Sequence, residues 1–359
     1  MFKIYQKYLI KKFLGKFSKI TLIFFSISII LGMLDEINFF KDMDISFYYP
    51  YFLTLLNVPI TLFEIFPFIF LLTTQFLFFD IFKNDELSLL KTNGLSNLKI
   101  IKILFFLAIL IGIINIVIYY NIASTLKFHY SNIKNNLSND NKYLAVANNS
   151  GLWIKDEIEN RKIIIKAEKI ENQFLLEAVI NEFDSNFDLI RTIKSKRIDI
   201  NKFDWIVYNP SISIDNITKN DYEKINYLTS FNSQKINSLF SNVSTLSLNK
   251  LFDVKKDYEK LGYSSDEIKL HLLKLGTTPI FYGLITLFSA IVMFSFPKNM
   301  SLLFYAIIGI LISVIIYYMN YMFISLGISG RIPISFSIFF PFFLISILSI
   351  IGLININEK

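Results

Sequence analysis

Apolar residues in this chain are gathered into runs too long for the core of a soluble domain, and that clustering constrains the fold more than any motif does. Runs of about 20 apolar residues, the length a helix needs to cross a hydrocarbon core, can be drawn at roughly 20–40, 52–79, 99–123, 275–297, 301–324 and 332–354. With a mean hydropathy of +0.48 and 38 Phe among 359 residues, the chain reads as a membrane protein with six spans. The stretch from about 124 to 270 holds nearly all the remaining polar residues and no run of that length. It reads as one domain inserted between the third and fourth spans, so the expected division is 1–123, 124–270 and 271–359.

Lysine placement sets the expected orientation. Lys3, Lys7, Lys11, Lys12, Lys16 and Lys19 precede the first apolar run, and Lys83, Lys91, Lys99 and Lys102 surround the second connection. Both groups belong in the cytoplasm. Asp35, Glu36, Asp42 and Asp44, set against Lys41, then lie outside with the inserted domain, and six spans return the C-terminus to the cytoplasm. Lys298 inside and Arg331 outside decide little. A basic segment before an apolar one also fits a signal peptide, but Gly32-Met33-Leu34-Asp35-Glu36 lacks a small-x-small cleavage pattern, which favours an uncleaved span. Phe2, Tyr5, Leu9, Phe13 and Phe17 recur at helical spacing. They suit either a helix lying on the inner membrane face or a charged flank that only sets topology.

The inserted domain changes period. "KYLAVA", "GLWIKD", "RKIIIKAEKI", "FLLEAVINEF", "LIRTIKSKRIDI" and "DWIVYNPSISI" alternate or are β-branched, with Asn, Asp and Gly between them. They predict six or more antiparallel strands in a sandwich or jelly roll, whose inward residues could hold a lipid chain or simply form a core. Two helices follow in "SLNKLFDVKKDYEKLGYSSDEIKLHLLKLGTTPI". Ser247 can cap the first, Gly262 can end it, and Ser264 or Ser265 can cap the second, whose Asp266 and Glu267 fall in the first turn.

Signatures of chemistry are missing. No phosphate loop, GxSxG, HExxH or paired-carboxylate motif occurs. Zero Cys excludes thiol catalysis and cysteine metal sites. His129 and His271 read as surface histidines without a second ligand, and the net charge of +7, carried by Lys in an Ile-, Asn- and Lys-rich chain, is not read as nucleic-acid binding. No catalytic residue, metal or cofactor is expected. Glu64, between Pro59 and Pro67 in the second run, is either a functional charge at a kinked helix or a residue near the outer headgroups.

"NDELSLLKTNGLS", at 84–96, connects the second and third spans. Asn84 can act as N-cap, Asp85 and Glu86 suit the positive end of the helix dipole, and Leu87 and Leu90 share a face. Lys91 suits the C-terminal end, Gly94 can take the left-handed stop, and Ser96 can cap the next span. Such a helix is marginal alone and needs something to pack against. It is either an interfacial loop helix or a coupling helix that docks its leucines and acids on a cytoplasmic motor.

Taken in order, "LDEI", "FPFIFLL", "NDELSLLKTNGLS", "GLWIKD", "KLGTTPI" and "SLGISGRIPISFSIFFPFFL" resemble the LptF/LptG permeases, the paired membrane subunits of the ABC machine that extracts lipopolysaccharide. "GLWIKD" and the terminal segment look more like the LptG branch. The resemblance implies a bacterial inner-membrane permease subunit, itself no enzyme, with six transmembrane helices and a periplasmic all-β jelly-roll-like domain. It also implies an LptF-like partner, an LptB-like ATPase dimer, and an LptC-like bitopic protein leading into a periplasmic bridge. Lipopolysaccharide would enter from the membrane lipid near the first and fifth spans. Asp85, Glu86, Leu87, Leu90 and Gly94 would form the coupling helix, with Glu86 the acid that enters the ATPase groove. Where this family can carry a Lys on the outer half of the first span, this chain has Gly32. Lys41, Lys127 and Lys134 are the basic residues left for lipid phosphates, and Glu64 is a further candidate for contact with the substrate. The competing readings are the LptF-type subunit, a membrane-anchored binding or scaffold protein, and a different force-transmitting ABC exporter, against which six spans speak.

Overall fold

A computed structural model describes residues 3–41, 46, 48–137, 152–158, 161–171, 173–214, 217–219, 222–233, 236, 242–261, 264–296 and 300–357. The chain divides into two compact units, one of residues 1–127 and 266–359 and the other of residues 128–265. The segment "KYLAVA" and Gly262 lie outside the described residues.

The first unit is a helix bundle. Its long helices are α1 (Ile4–Phe39), α2 (Tyr48–Lys83), a third span built from α4 (Asn97–Ile114), a π-helical turn (Asn115–Tyr120) and α5 (Asn121–Leu137), then α7 (Asp266–Ser295), α8 (Leu302–Ile328) and α9 (Ile334–Asn357). The short α3 (Glu86–Thr92) joins α2 to α4. Six of these segments are long and apolar enough to cross a membrane. The basic N-terminal stretch does not form a separate surface helix, because α1 runs unbroken for 36 residues. No proline interrupts it, and its two glycines, Gly15 and Gly32, cost only about 1 kcal/mol each in a helix.

The bundle core lies between α2, α4 and α7. Phe70 stacks on Tyr282 at 4.6 Å between ring centres, and Ser289 Oγ donates across to the Leu71 carbonyl at 2.8 Å. Close approach is enforced by missing side chains. A Cβ on Gly112 would sit 2.7 Å from Pro279 Cα, and one on Gly309 would meet Gln75 Oε1 and lie 2.8 Å from Leu72 Cδ2. Helices α1, α8 and α9 bury far fewer of their apolar residues than α2 and α7 do, which leaves Leu22, Ile30, Leu311, Ile315, Tyr318 and Phe343 exposed on the described surface.

The second unit contains eight described strands, all antiparallel: β1 (Leu152–Ile158), β2 (Arg161–Glu171), β3 (Phe174–Phe183), β4 (Leu189–Asp199), β5 (Asp204–Tyr208), β6 (Ser211–Ile214), β7 (Ile217–Lys219) and β8 (Lys224–Leu228). Each stretch beyond "KYLAVA" that alternated in the sequence is a strand or a strand pair. The hydrogen bonds join them into one sheet ordered β1-β2-β3-β4-β5-β8, rather than two separate sheets. The cause is the length of β4, which pairs with β6 over Thr192–Lys194 and with β5 over Arg197–Asp199, so two arms share one strand. Inward alternation places Leu152, Ile154, Ile163, Ile165, Ile180 and Ile193 in the core. Trp205 is fully buried and its Nε1 donates to the Phe231 carbonyl at 2.7 Å. The buried Asp156 accepts from Thr229 Oγ1 and Ser230 N, both at 2.8 Å, and the buried Glu182 accepts from Arg191 at 2.7 Å. Asp156 is thus hydrogen-bonded as burial of a charge requires, whereas the second oxygen of Glu182 has no hydrogen bond among the described residues and faces Arg161 at 3.5 Å. Helix α6 (Leu248–Leu261) follows the sheet, and Asp266 and Glu267 open α7.

The glycine contacts give a direct test of bundle packing. Gly309→Ala should destabilise the protein by about 1–3 kcal/mol through overpacking against Gln75 and Leu72. Gly15→Ala, where nothing lies within 4 Å, should not lower stability. Thermal unfolding in detergent reads both; equal melting temperatures for the two variants would contradict this packing.

Candidate functional site

The chain enters α3 through Asp85, whose φ of 53° is left-handed. Ser88 Oγ donates to its Oδ1 at 2.6 Å. The residue at the helix start is therefore Asp85, and Asn84, read from the sequence as the cap, instead donates to Glu86 Oε1 at 3.3 Å. At the other end Gly94 takes φ 79°. Its N–H donates to the Lys91 carbonyl at 2.9 Å and the Leu95 N–H to the Leu90 carbonyl at 3.1 Å, closing the helix. Ser96 Oγ then accepts from the Lys99 N–H at 3.3 Å and caps α4.

The two faces of α3 differ sharply. Leu87 and Leu90 are 3% and 9% exposed, whereas Leu89 is 64% exposed. The pair that the sequence pointed towards a motor is packed within this chain, and Asp85, Ser88, Leu89 and Thr92 face outward.

Glu86 also has partners at home. Lys12 Nζ of α1 donates to its Oε1 at 2.6 Å, and Tyr8 Oη donates to its Oε2 at 2.7 Å. One turn along α1, Lys16 pairs with Asp80 of α2 at 2.5 Å. Lysines spaced i, i+4 lie on one helix face, so α1 is stitched to the corner formed by α2 and α3. Partial burial pushes the Glu86 carboxyl up, but the hydrogen bonds from Lys12, Tyr8 and Asn84 outweigh it and hold the group below its usual range. Sequence reasoning placed Lys12 in the basic N-terminal segment but did not single out Tyr8, and it had no signal for their shared partner, which is more than 70 positions away.

The remaining candidates occupy separate surroundings. Lys127 donates to Asn57 Oδ1 at 2.6 Å. Lys134 is buried and donates to Tyr130 Oη at 2.9 Å. Lys41 is exposed at the end of α1. Gly32 lies where an added Cβ would be 3.0 Å from Thr54 Cγ2, so at this position α1 packs on α2 and presents no charge. Glu64 is exposed, and Lys274 of α7 lies within electrostatic reach of it. His271, read from the sequence as a surface residue, is instead paired through Nε2 with the buried Tyr120 Oη at 2.8 Å. Its partner sits in the π-helical turn, a local widening that the sequence pattern does not reveal.

Six helices long and apolar enough to cross a membrane, an inserted antiparallel β region and a capped helix between the second and third spans are the architecture of a multi-pass membrane protein. The family described as lipopolysaccharide export system permease LptF/LptG matches residues 7–355, nearly the whole chain, and the protein belongs to that family. The family is a permease component of a transporter, not its catalytic part. No curated protein sequence matches the chain.

A Lys12→Ala and Glu86→Ala double-mutant cycle should show a favourable coupling of about 0.5–1 kcal/mol at neutral pH. Since the folded carboxyl titrates below its usual value of 4.5, the coupling is present above that pH and is lost as the pH falls through the lower folded value. Stability measured at pH 7 and pH 3 checks the sign, and a coupling that grows on acidification would contradict the ion pair.

Proposed function

We propose that the protein is one of two permease subunits of an ABC transporter that extracts lipopolysaccharide from the bacterial inner membrane and passes it to a periplasmic bridge. ATP is hydrolysed on a separate, LptB-like dimer docked at α3. The carrying observation is the two-faced α3 itself: one face is anchored by Leu87 and Leu90, while Asp85, Ser88, Leu89 and Thr92 are left outward. A helix of seven residues does not hold its shape alone. Anchored in this way, it can receive a push at Leu89 and pass it to α2, to α4 and, through Glu86 and Lys12, to α1.

The lysine-rich ends favour a cytoplasmic α3 and a periplasmic β domain. The exposed apolar faces of α1, α8 and α9 suit an LptF-like partner and the surrounding lipid, and the β domain suits contact with an LptC-like protein of the bridge. The "GLWIKD" strand and the terminal "LGISGRIP" segment favour the LptG branch. Lys41, Lys127 and Lys134 are the basic residues offered to lipid phosphates, with Glu64 beside Lys274 a further polar position.

Affinity purification from native membranes should recover an ATPase with a phosphate loop and a second six-span chain, and recovery of neither would sink the assignment. Within the complex, Leu89→Arg should lower ATPase recovery by tenfold or more, the cost of placing an uncompensated charge in an apolar contact being about 1.4 kcal/mol or greater. Glu86→Lys should leave ATP hydrolysis running without lipopolysaccharide release, whereas an anchoring-only role for the spans predicts normal release.

A further inference from the structure

A groove of about 520 Å³ runs between α1 and α4 at the bundle end that carries α3. It is lined by Tyr5, Gln6 and Ile10 of α1 and by Lys99, Lys102, Ile103, Phe106, Leu107 and Leu110 of α4. We propose that this groove is a binding site for one anionic phospholipid, with its phosphate at Lys99 and Lys102 and an acyl chain along Ile103, Phe106 and Leu110.

The spacing carries the proposal. Positions 99, 102, 103, 106 and 110 fall on one helical stripe, so the lysines and the apolar residues line the same channel in sequence along its length. At about 1.5 Å per residue, Lys99 to Leu110 spans roughly 16 Å, close to half of a hydrocarbon core of about 30 Å. A headgroup at the lysines therefore places the chain end at Leu110, within a single leaflet. Phe106 and Leu110 are 57% and 55% exposed, so the floor is open to an occupant.

Charge selects the headgroup. Neither Lys99 nor Lys102 has an acidic partner among the described residues, whereas Lys12 and Lys16 on the neighbouring helix are paired with Glu86 and Asp80. Lys99 makes only a long contact, 3.5 Å, to the Gly94 carbonyl. Lysines at an interface attract anionic lipid by about 1 kcal/mol each, and the capped N-terminus of α4, ending at Ser96, adds to the same positive field. Gln6 and Tyr5 supply donors on the opposite wall. The site depends on the membrane assignment alone and not on what the protein transports.

Phe106→Trp places a reporter in the groove of the full chain, reconstituted with its co-purifying subunits in nanodiscs. Brominated phosphatidylglycerol should quench the added fluorescence roughly threefold more strongly than brominated phosphatidylcholine at equal mole fraction. Adding Lys99→Gln and Lys102→Gln should bring the two lipids to equality, and millimolar glycerophosphate should not relieve the quenching. A tryptophan at the lipid-exposed Leu311 of α8 should show no preference, and Leu110→Trp provides a second reporter if Phe106→Trp does not fold. Equal quenching by both lipids would mean an unselective lipid annulus and overturn the proposal. So would a preference that survives loss of both lysines, or relief by glycerophosphate, which would mark a soluble-phosphate site.

Discussion

Hydrocarbon offers a peptide group nothing to hydrogen-bond, so every break in a spanning helix has to be covered from inside the protein. The helix irregularities of this bundle lie against one another. Tyr119, in the π-helical turn, donates to the carbonyl of Pro59 at 2.9 Å, and Gly112, just before the turn, is where the Pro279 backbone approaches. Phe281 and Phe342, each within two residues of a helix proline, are in ring contact at 4.9 Å. Prolines in α2, α7 and α9 and the wide turn of the third span are therefore not scattered. Pro59, Pro279 and the neighbourhood of Pro341 are each tied to another span through these contacts.

The same geometry gives α1 its role. It is the least buried of the spans, and what holds it is a ladder along one face: Lys12 on Glu86, Lys16 on Asp80, then Phe13 and Phe17 against Phe66 and Phe70. Phe66 in turn contacts Tyr119, and Phe70 contacts Tyr282. The polar contacts at α3 thus continue into aromatic packing that reaches the level of Pro67. Contiguity of this kind transmits motion only where an element has two packings. Helices with Pro59, Pro67 and Pro279 in their interiors are the elements best able to supply them.

How much of this the sequence disclosed follows from the range of each interaction. Six spans were legible because length and hydropathy are local sums, and the Gly94 stop and Ser96 cap because capping acts over three or four residues. The strands from Leu152 to Tyr208 were legible from alternation. Pairing was not, since the sharing of β4 by two arms depends on partners that no local pattern names. His271 failed for the same reason: its hydrogen bond goes to Tyr120, 151 positions away. Leu87 and Leu90 were correctly seen as one face of α3, but a helical stripe does not say whether its partner lies in the same chain or in another.

Lysine shows the limit most clearly. The rule that places cationic residues on the cytoplasmic side counts Lys12, Lys16, Lys99 and Lys102 as equivalent, because it depends on charge and position alone. The folded chain sorts them into two kinds. Lys12 and Lys16 of α1 are neutralised by carboxylates of α3 and α2 and add to the cohesion of the bundle, where a change of either partner alters packing. Lys99 and Lys102 stand at the rim of an apolar groove without acidic partners among the described residues, and their field is directed at whatever occupies the membrane beside them. A topology signal is therefore also a division of labour between charges that hold the protein together and charges that hold the lipid to it.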